Sequence, residues 1–518
     1  RLPAGDDLGA ASYTDYFNTK KKNRREMLYV GANDGMMHGF NARVSASDSI
    51  LAGSEVFAYT PTRVMKNIPN LASALYGQDS RKPHKYMVDG PIYVSDAYVD
   101  GGWKNILVGT LGAGGRGIYV LDVTNPDSFG AANVLFELTE DQYPELGFIT
   151  GTPIIAPGAD KRWKIFLGNG YNSTKNSSAK AYLGIIDINE ELARVRTNSA
   201  VTKTKFIATD STVENSLSQP ALLPNEDGLV VAAYAGDING NMWKFNLSSD
   251  SPSSWVVANS GTPLFVAKDT SSNIQPITAS PTLGFNNRVT PARVMVYFGT
   301  GRYVASDDNQ KSDTVQSFYA LVDKEAAISG RTNLHQKTMT ATSTQRTISG
   351  EINTDKTNAV NWASKNGWYL DFPKNERIIT KPLLVYDRLI FPTVIPTDDP
   401  CSSGGSGWIM ELIATGEPNP QFKLLATSGN AFQEVAIFGK LTSVEGSNRG
   451  GGSGSGSSAA SSAGSSTSSS GSNECGGANG GGSGVVAIVG IQSEGKEQSK
   501  IGSRPCDLFD RQSWRELE

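Results

Sequence analysis

A two-part module recurs along this chain, and it restricts the possible folds more than any other feature of the sequence. The first part is a proline that opens or interrupts a short apolar run. The second part is an apolar run that ends in glycine 15 to 18 residues later, and another apolar run follows after a loop. The prolines are Pro91, Pro153, Pro220, Pro281 and Pro382, and the glycines paired with the first four are Gly109, Gly168, Gly236 and Gly299. An N-terminal copy, LYVGANDG, contains Gly31 but has no proline half.

Each module is predicted to form three or four short β-strands. The apolar runs are rich in Val, Ile, Tyr and Phe and are bounded by Gly, Asn and Asp, and helical periodicity is almost absent. Successive prolines are 62, 67, 61 and 101 residues apart. Repeats of about this length built from antiparallel strands are typical of propeller blades. We therefore predict an all-β propeller of six to eight blades, with seven preferred. We also predict a degenerate blade at 389–396, a closing strand such as 484–492 and one short helix at 64–77.

Charge and composition argue against two classes of partner. The 518 residues include 47 Lys and Arg against 51 Asp and Glu, a formal net charge of −4. Proteins that bind nucleic acid through its phosphates usually have clustered basic side chains and a basic pI. No apolar run approaches the ~18 residues that a membrane helix needs. We expect neither a nucleic-acid partner nor a membrane span.

The domain organisation is predicted from the repeats and from low-complexity sequence. Residues 1–25 form a lead-in, and because the chain starts with Arg and no signal-peptide core follows, we expect a portion of a longer protein. Residues 26–518 form one propeller domain, which includes a flexible Gly- and Ser-rich loop at 448–484.

Common catalytic motifs are missing from the sequence. Gly112-Ala-Gly-Gly-Arg-Gly117 matches GxGxxG, but the IYVLDV that follows reads as a strand, whereas a dinucleotide site needs a helix there. A Gly-rich hairpin is therefore predicted. His38, His84 and His335 lie far apart and match no metal-ligand spacing, and His38 is expected to pack on a blade. Neither a GxSxG nucleophile elbow nor a GxxxxGK(S/T) phosphate loop occurs. We predict that the protein is not an enzyme.

One loop begins like an EF-hand calcium site. Asp237, Asn239 and Asn241 occupy alternate positions, as the first ligands of an EF-hand do. Met242 and Ser248 then stand where that loop needs Gly and Glu. Asn-Gly at 239–240 is instead a strong hairpin signal, so we predict a turn between two strands.

Two further loops carry oxygen side chains of the kind that calcium prefers. One contains Asp307, Asp308 and Asn309 with Asp313 nearby, and a solvated insertion is the preferred interpretation. The other is the short segment Asn225–Gly228.

Eight short blocks occur in order over nearly the whole chain. They are LYVGANDGMMHGFNA, MVDGPIYVSDAY, VGTLGAGGRGIYVLDVTNP, GNGYNS, YAGDINGNMWKFNL, FGTGRY, DDPCSSGGSGW and RQSWREL. Together they resemble the C-terminal domain of the PilC/PilY type IV pilus tip adhesin and biogenesis family.

This resemblance implies a modified seven-bladed, quinoprotein-like β-propeller with irregular loop insertions. It implies a secreted protein at the pilus tip or outer cell surface of a Gram-negative bacterium. Such a protein promotes pilus assembly, opposes retraction and contributes to attachment to host or abiotic surfaces. Its expected partners are pilus components, either minor or major pilins.

The resemblance also implies the position of a calcium loop. In the family, a nine-residue loop of the form DxDxNxxxD, or close to it, precedes the strand YAGD, and calcium bound there is linked to the control of retraction. Here that loop falls on Leu223–Val231, in which Asn225 and Asp227 match ligand positions and Leu229 would offer its carbonyl. Apolar residues replace the first and last carboxylates, and calcium affinity depends on ligand charge. We expect this calcium site to be weak or lost.

The three cysteines are Cys401, Cys475 and Cys506, and their spacing matches no zinc or redox motif. A surface location, as the resemblance implies, favours oxidation. We expect a disulfide in which Cys401 pairs with Cys475 or Cys506, with the partner left open.

Two other functions compete with this interpretation. The first is a quinone-dependent dehydrogenase built from similar blades, but the chain has no vicinal cysteine pair, and no quinone is expected. The second is a glycan-binding propeller that would use Trp103, Trp163 or Trp368 as platforms, although packing between blades is the preferred role of each.

Overall fold

The computed structural model describes residues 8–44, 50–77, 81–174, 180–209, 214–304, 308, 312–341, 346–348, 359–396, 406–416, 435–436, 489–493 and 496–500. Cys401, Cys475, Cys506 and the loop 448–484 lie outside these residues.

Six sheets, antiparallel except for one strand pair in the fifth, follow one another along the described part of the chain. The first three sheets are formed by β1 (Met27–Gly31), β2 (Met37–Asn41) and β3 (Glu55–Tyr59); by β4 (Ile92–Val99), β5 (Gly102–Thr110), β6 (Gly117–Asp122) and β7 (Val134–Thr139); and by β8 (Ile154–Pro157), β9 (Trp163–Gly168), β10 (Tyr182–Asp187) and β11 (Lys205–Ala208). The fourth sheet is formed by β12 (Ala221–Pro224), β13 (Val230–Gly236), β14 (Asn241–Asn246), β15 (Val256–Val257) and β16 (Phe265–Val266).

The fifth and sixth sheets contain longer insertions. The fifth contains β17 (Thr282–Asn286), β18 (Arg293–Gly299), β19 (Ser317–Val322) and β20 (His335–Lys337). The chain then forms a separate hairpin of β21 (Met339–Ala341) and β22 (Arg346–Ile348). It returns to the fifth sheet as β23 (Gly367–Asp371), and β20 runs parallel to β23. The sixth is formed by β24 (Leu383–Val385), β25 (Arg388–Pro392) and β27 (Ile409–Ile413). The short strand β26 (Ser406–Gly407) precedes β27 in the chain but is not part of this sheet. Two small pairs join β26 to β28 (Val435–Ala436) and β29 (Val489–Ser493) to β30 (Lys496–Lys500).

Helices are few among the described residues. The two α-helices are α1 (Tyr13–Thr19) and α2 (Ile188–Thr197), and Ala258–Gly261 form a short turn in which Asn259 and Ser260 have φ values of 52° and 56°. The short 3-10 helices are Ala10–Ser12, Lys21–Asn23, Thr62–Ala72, Gly112–Gly114, Pro126–Ser128, Ala131–Asn133, Pro252–Ser254 and Arg331–Asn333. The helix predicted at 64–77 is therefore a 3-10 helix at Thr62–Ala72, and Pro69 inside it removes one amide donor. No helix in the described ranges is long and apolar enough to cross a bilayer.

The sequence module corresponds to one sheet. In the second to sixth sheets, the module's proline directly precedes the first strand, and its second apolar run forms the second strand. The first sheet begins at the second strand of the module, which agrees with its missing proline half. The all-β prediction is confirmed, and the six sheets account for every predicted module. The described part of the predicted closing strand, β29, pairs with β30 in a separate two-stranded sheet and does not join any of the six sheets. The total of seven blades therefore remains a prediction.

Alternate residues of a strand face the two neighbouring sheets. On β6, Tyr119 and Leu121 belong to a core shared with the first sheet, whereas Ile118 and Val120 belong to a core shared with the third. Because both faces are covered, β6 is buried along its whole length and its sequence is a continuous apolar run. Burial of one such side chain contributes about 1.5–3 kcal/mol. Similar cores join each of the other neighbouring sheets.

The glycine of the module is required by a close approach of the backbone. A Cβ atom on Gly168 would lie 2.0 Å from the carbonyl oxygen of Ser218, in the segment that leads to the next sheet. A Cβ atom on Gly236 would lie 2.1 Å from Cγ2 of Ile277, in the corresponding segment one sheet later. The connection between sheets therefore crosses the end of the second strand at a distance that only glycine permits.

The lead-in packs against the second sheet. The hydroxyls of Tyr13 and Tyr16 donate to the Asp96 carboxylate at 3.0 and 3.1 Å, and the Lys21 ammonium lies 2.8 Å from the same carboxylate. The indole nitrogen of Trp103 donates to the carbonyl of Gly9 at 2.7 Å. These contacts attach the described part of the lead-in to β4 and β5.

Candidate functional site

The loops of the six sheets lie at two opposite ends of the strands. Because successive strands are antiparallel, all turns between the first and second strands of a module lie at the same end, which we call the first end. Turns between second and third strands, and the connections from sheet to sheet, lie at the second end. The Asn225–Gly228 turn is at the first end of β13, and the Asp237–Gly240 turn is at its second end. At about 3.3 Å per residue, the seven residues of β13 separate these two candidate sites by about 20 Å.

The Asn225 turn closes on its own backbone. The side-chain oxygen of Asn225 accepts hydrogen bonds from the amides of Asp227 at 3.1 Å and Leu229 at 2.9 Å. The backbone N–H of Asn225 donates to the Leu229 carbonyl at 2.8 Å, and Gly228 adopts a φ of 80°, a value that glycine tolerates best. Asparagine commonly forms turns of this kind. The sequence therefore specifies a closed hairpin turn at this position.

This geometry leaves few ligands for calcium. The Asn225 oxygen and the Leu229 carbonyl, two of the three predicted ligands, already accept backbone hydrogen bonds. The Leu229 side chain is buried and Asp227 is exposed. Calcium takes six to eight oxygen ligands, and in the described part of the chain no group of three or more His, Cys, Asp or Glu is arranged to hold a metal. The turn is consistent with a weak or lost site, which remains a prediction.

The Asp237 carboxylate is fully buried and bound by protein donors. It accepts hydrogen bonds from the side-chain amides of Asn215 at 2.7 Å and Asn241 at 2.8 Å, and from the Trp243 indole at 2.7 Å. The backbone amides of Asn239 and Asn241 donate to its other oxygen at 3.0 and 2.8 Å. The hairpin turn predicted here is confirmed between β13 and β14. Five donors saturate this carboxylate, so its burial does not require a cation.

The two described carboxylates of the third candidate loop, those of Asp308 and Asp313, bind different partners. The Asp308 carboxylate accepts from the Arg302 guanidinium at 3.0 Å and from the Val304 amide at 3.0 Å. The Asp313 carboxylate pairs with Lys374 at 3.1 Å. Asp307 and Asn309, predicted as part of this loop, lie outside the described residues.

His38 packs on a blade, as predicted, and bridges two carboxylates. Its Nδ1 lies 2.7 Å from Glu55 and its Nε2 lies 2.9 Å from Asp34, while the ring stacks on Phe40 at 5.8 Å between centroids. Burial alone would lower the pKa of His38, but the hydrogen bonds to Glu55 and Asp34 outweigh it and raise the pKa. The imidazole therefore ties β2 to β3 and to the turn before β2.

Three tryptophans considered as glycan platforms are buried. Trp103, Trp163 and Trp368 are 6%, 7% and 1% exposed. Trp103 and Trp163 contact each other edge to face across the second and third sheets, at 5.5 Å between centroids. Packing between blades, the preferred prediction for each, is confirmed. GxGxxG at 112–117 likewise forms a 3-10 turn followed by β6, as predicted.

One exposed segment was missed from the sequence. This segment belongs to the connection from the first to the second sheet, at the second end. It consists of Tyr76, Gly77 and Arg81–Tyr86, and we call these residues the basic aromatic loop. Three cationic residues and two ring-bearing residues occur among the six positions Arg81–Tyr86. That local pattern was the available signal, and the nearly neutral charge of the whole chain concealed it.

Comparisons with known proteins agree with the fold. A family model described as the PilY1 beta-propeller domain matches residues 6–358. A type IV pilus biogenesis factor PilY1 homolog from Xylella fastidiosa is 35% identical over 419 residues, which are 78% of this chain and 27% of the relative. The type IV pilus biogenesis factor PilY1 of Pseudomonas aeruginosa PAO1 is 34% identical over 436 residues, 76% of this chain and 35% of the relative.

A solved structure is similar over a comparable extent. The crystal structure of the Pseudomonas aeruginosa PilY1 C-terminal domain has a TM-score of 0.62 and 29% sequence identity, and the match covers 82% of this chain and 87% of that chain. The chain spans only about a third of the length of the curated relatives named above.

Proposed function

Because the chain belongs to the PilY1 β-propeller family, we propose that it is a non-enzymatic type IV pilus biogenesis factor. The observation that carries the proposal is the family match over 6–358 together with about one-third identity to two pilus biogenesis factors. In this proposal the protein is secreted and sits at the pilus tip or outer surface. It contacts pilin subunits, promotes extension or opposes retraction, and contributes to attachment to host or abiotic surfaces.

The architecture supports a role in binding. Six stacked sheets with continuous apolar cores make a rigid body that presents loops at both ends. Loops on a rigid scaffold are the usual carriers of recognition. The buried charges near these loops, such as Asp237, are bound by side chains of the protein itself. Such an arrangement fits a mechanical and interactional role.

We further propose that calcium does not control this protein through the Asn225 turn. The turn is held by its own backbone hydrogen bonds, and Asp227 is the only carboxylate at the three predicted ligand positions. A regulatory site would need more ligand charge.

The location is tested by shearing pili from the native host and probing the pilus fraction for the protein. We expect it to copurify with pili and to leave that fraction when the major pilin gene is deleted. Detection only in the cytoplasm, with none in the pilus fraction, would refute the proposed location.

A further inference from the structure

The basic aromatic loop presents cations and rings to solvent at the second end. All six residues from Arg81 to Tyr86 are exposed, and the Tyr86 side chain is 52% exposed. The two lysines, Lys82 and Lys85, make no ion pair with any carboxylate of the described chain. Lys164 and Lys244 of the same protein, in contrast, are each paired with two carboxylates.

The loop is held in place despite its exposure. The Tyr76 hydroxyl accepts from the Lys85 amide at 2.8 Å and donates to the Lys85 carbonyl at 3.1 Å. The Gly77 amide donates to the Lys82 carbonyl at 2.8 Å. Directly after the loop, Met87 is completely buried, and its amide donates to the Asn33 side chain at 2.9 Å. The two lysines therefore project from a fixed backbone.

Three rings form a row along the loop. The His84 ring lies 5.7 Å from Tyr76 and 5.1 Å from Tyr86, measured between centroids. Exposed rings add little to the stability of the fold, because they bury little apolar area. Such rings contribute little to the core, and next to lysines that have no ion-pair partner among the described residues they provide a surface for recognition.

We propose that the basic aromatic loop binds an acidic polysaccharide, a polymer of uronate sugars. The inference rests on the surface-attachment part of the proposed function and specifies the chemistry of the attached surface. The Tyr86 ring would pack against the CH face of a sugar ring, and the ammonium groups of Lys82 and Lys85 would pair with uronate carboxylates. The −4 net charge of the chain would repel the same polymer elsewhere, so contact is directed to this loop.

The loop fits a polysaccharide better than a protein or a bilayer. A stable protein interface buries about 800 Å² per partner around desolvated anchors, whereas Arg81–Tyr86 are all exposed and no buried anchor is present among these six residues. Insertion into a membrane interface needs an apolar face of Trp, Phe or Leu, and between Arg81 and Tyr86 the wholly apolar side chain is Pro83.

The proposal is tested by measuring binding of the full chain to immobilised alginate, with neutral dextran as the comparison polymer. The test variant is Lys82→Ser with Lys85→Ser, and a second variant is Tyr86→Ser. The matched control is Lys20→Ser with Lys22→Ser, which removes two exposed lysines from the lead-in. Circular dichroism verifies folding of each variant.

We expect alginate binding that weakens with salt, negligible dextran binding, and a loss of about five- to ten-fold for the loop variant, as two exposed ion pairs allow. The lead-in control should stay within about two-fold of wild type. Equal losses for loop and control variants, equal binding of alginate and dextran, or binding to anionic phosphatidylglycerol vesicles but not alginate would each overturn the proposal.

The proposed function and the loop assignment are tested by different experiments. A pilus count that does not change when the gene is deleted refutes the biogenesis role. Alginate binding that is insensitive to the loop variants refutes the loop assignment, whatever the pilus count shows.

Discussion

Replacing Asp237 by Ala should destabilise the protein by several kcal/mol without any involvement of a metal. The carboxylate is completely buried and accepts five hydrogen bonds at the turn between β13 and β14. Removing it leaves the donors without an acceptor, and only those near the surface can bind water instead.

The expected magnitude follows from the two buried donors. The Asn215 amide and the Trp243 indole lie inside the protein, and each would lose its Asp237 partner. An unsatisfied buried donor costs about 1–3 kcal/mol, so the loss should be about 2–6 kcal/mol, and ~4 kcal/mol is the central value. Asp237→Asn keeps the shape and one acceptor oxygen and should lose less.

Urea unfolding followed by tryptophan fluorescence measures the effect. The matched control is Asp227→Ala, an exposed carboxylate at the opposite end of β13, which should change the free energy of unfolding by less than about 0.5 kcal/mol. EDTA should leave the wild-type unfolding curve unchanged. A loss below about 1 kcal/mol for Asp237→Ala, or a wild-type curve that shifts with EDTA, would refute the reasoning.

Three further predictions concern the repeat glycine, the histidine and calcium. Gly168→Ala should lower the free energy of unfolding by at least about 2 kcal/mol in a urea titration, because its Cβ would lie 2.0 Å from the Ser218 carbonyl oxygen; a loss under about 0.5 kcal/mol would contradict the close approach. The pKa of His38 is raised in the folded protein, so its stabilising effect is fully present below about pH 6.5 and is lost as pH rises through the folded pKa. The difference in stability between wild type and His38→Gln should therefore shrink from pH 5.5 to pH 9, and a constant difference would exclude the charged bridge. Calorimetric titration with calcium should show no micromolar binding, whereas micromolar binding abolished by Asp227→Ala would show that the turn still holds the ion.

The sequence was sufficient to predict the strands because the signals are local. A proline before the first strand and a glycine at the end of the second recur at the same places in successive sheets, and Gly168 shows why glycine is needed, because the segment that leads to the next sheet passes 2.0 Å from where its Cβ would lie. The continuous apolar run of β6 follows from burial on both faces. Each of these features can be read within a window of a few residues.

The candidate sites were less predictable because their partners are distant in sequence. Asn215 is 22 residues from Asp237, and its hydrogen bond depends on how the connection between sheets crosses the strand ends. Asn225 was counted as a ligand from its position, yet its oxygen turns toward the amides of Asp227 and Leu229. That outcome follows from asparagine's preference for closing turns, a competing tendency that counting ligands does not weigh.

The most direct test of the account is the number of surface pili in the native host after deletion of the gene. Pili are sheared from equal cell masses, and the major pilin is quantified in deletion, wild-type and complemented strains. The account predicts a large loss of surface pilin and of twitching in the deletion strain, with recovery on complementation by the intact gene. An unchanged amount of surface pilin in the deletion strain would contradict it.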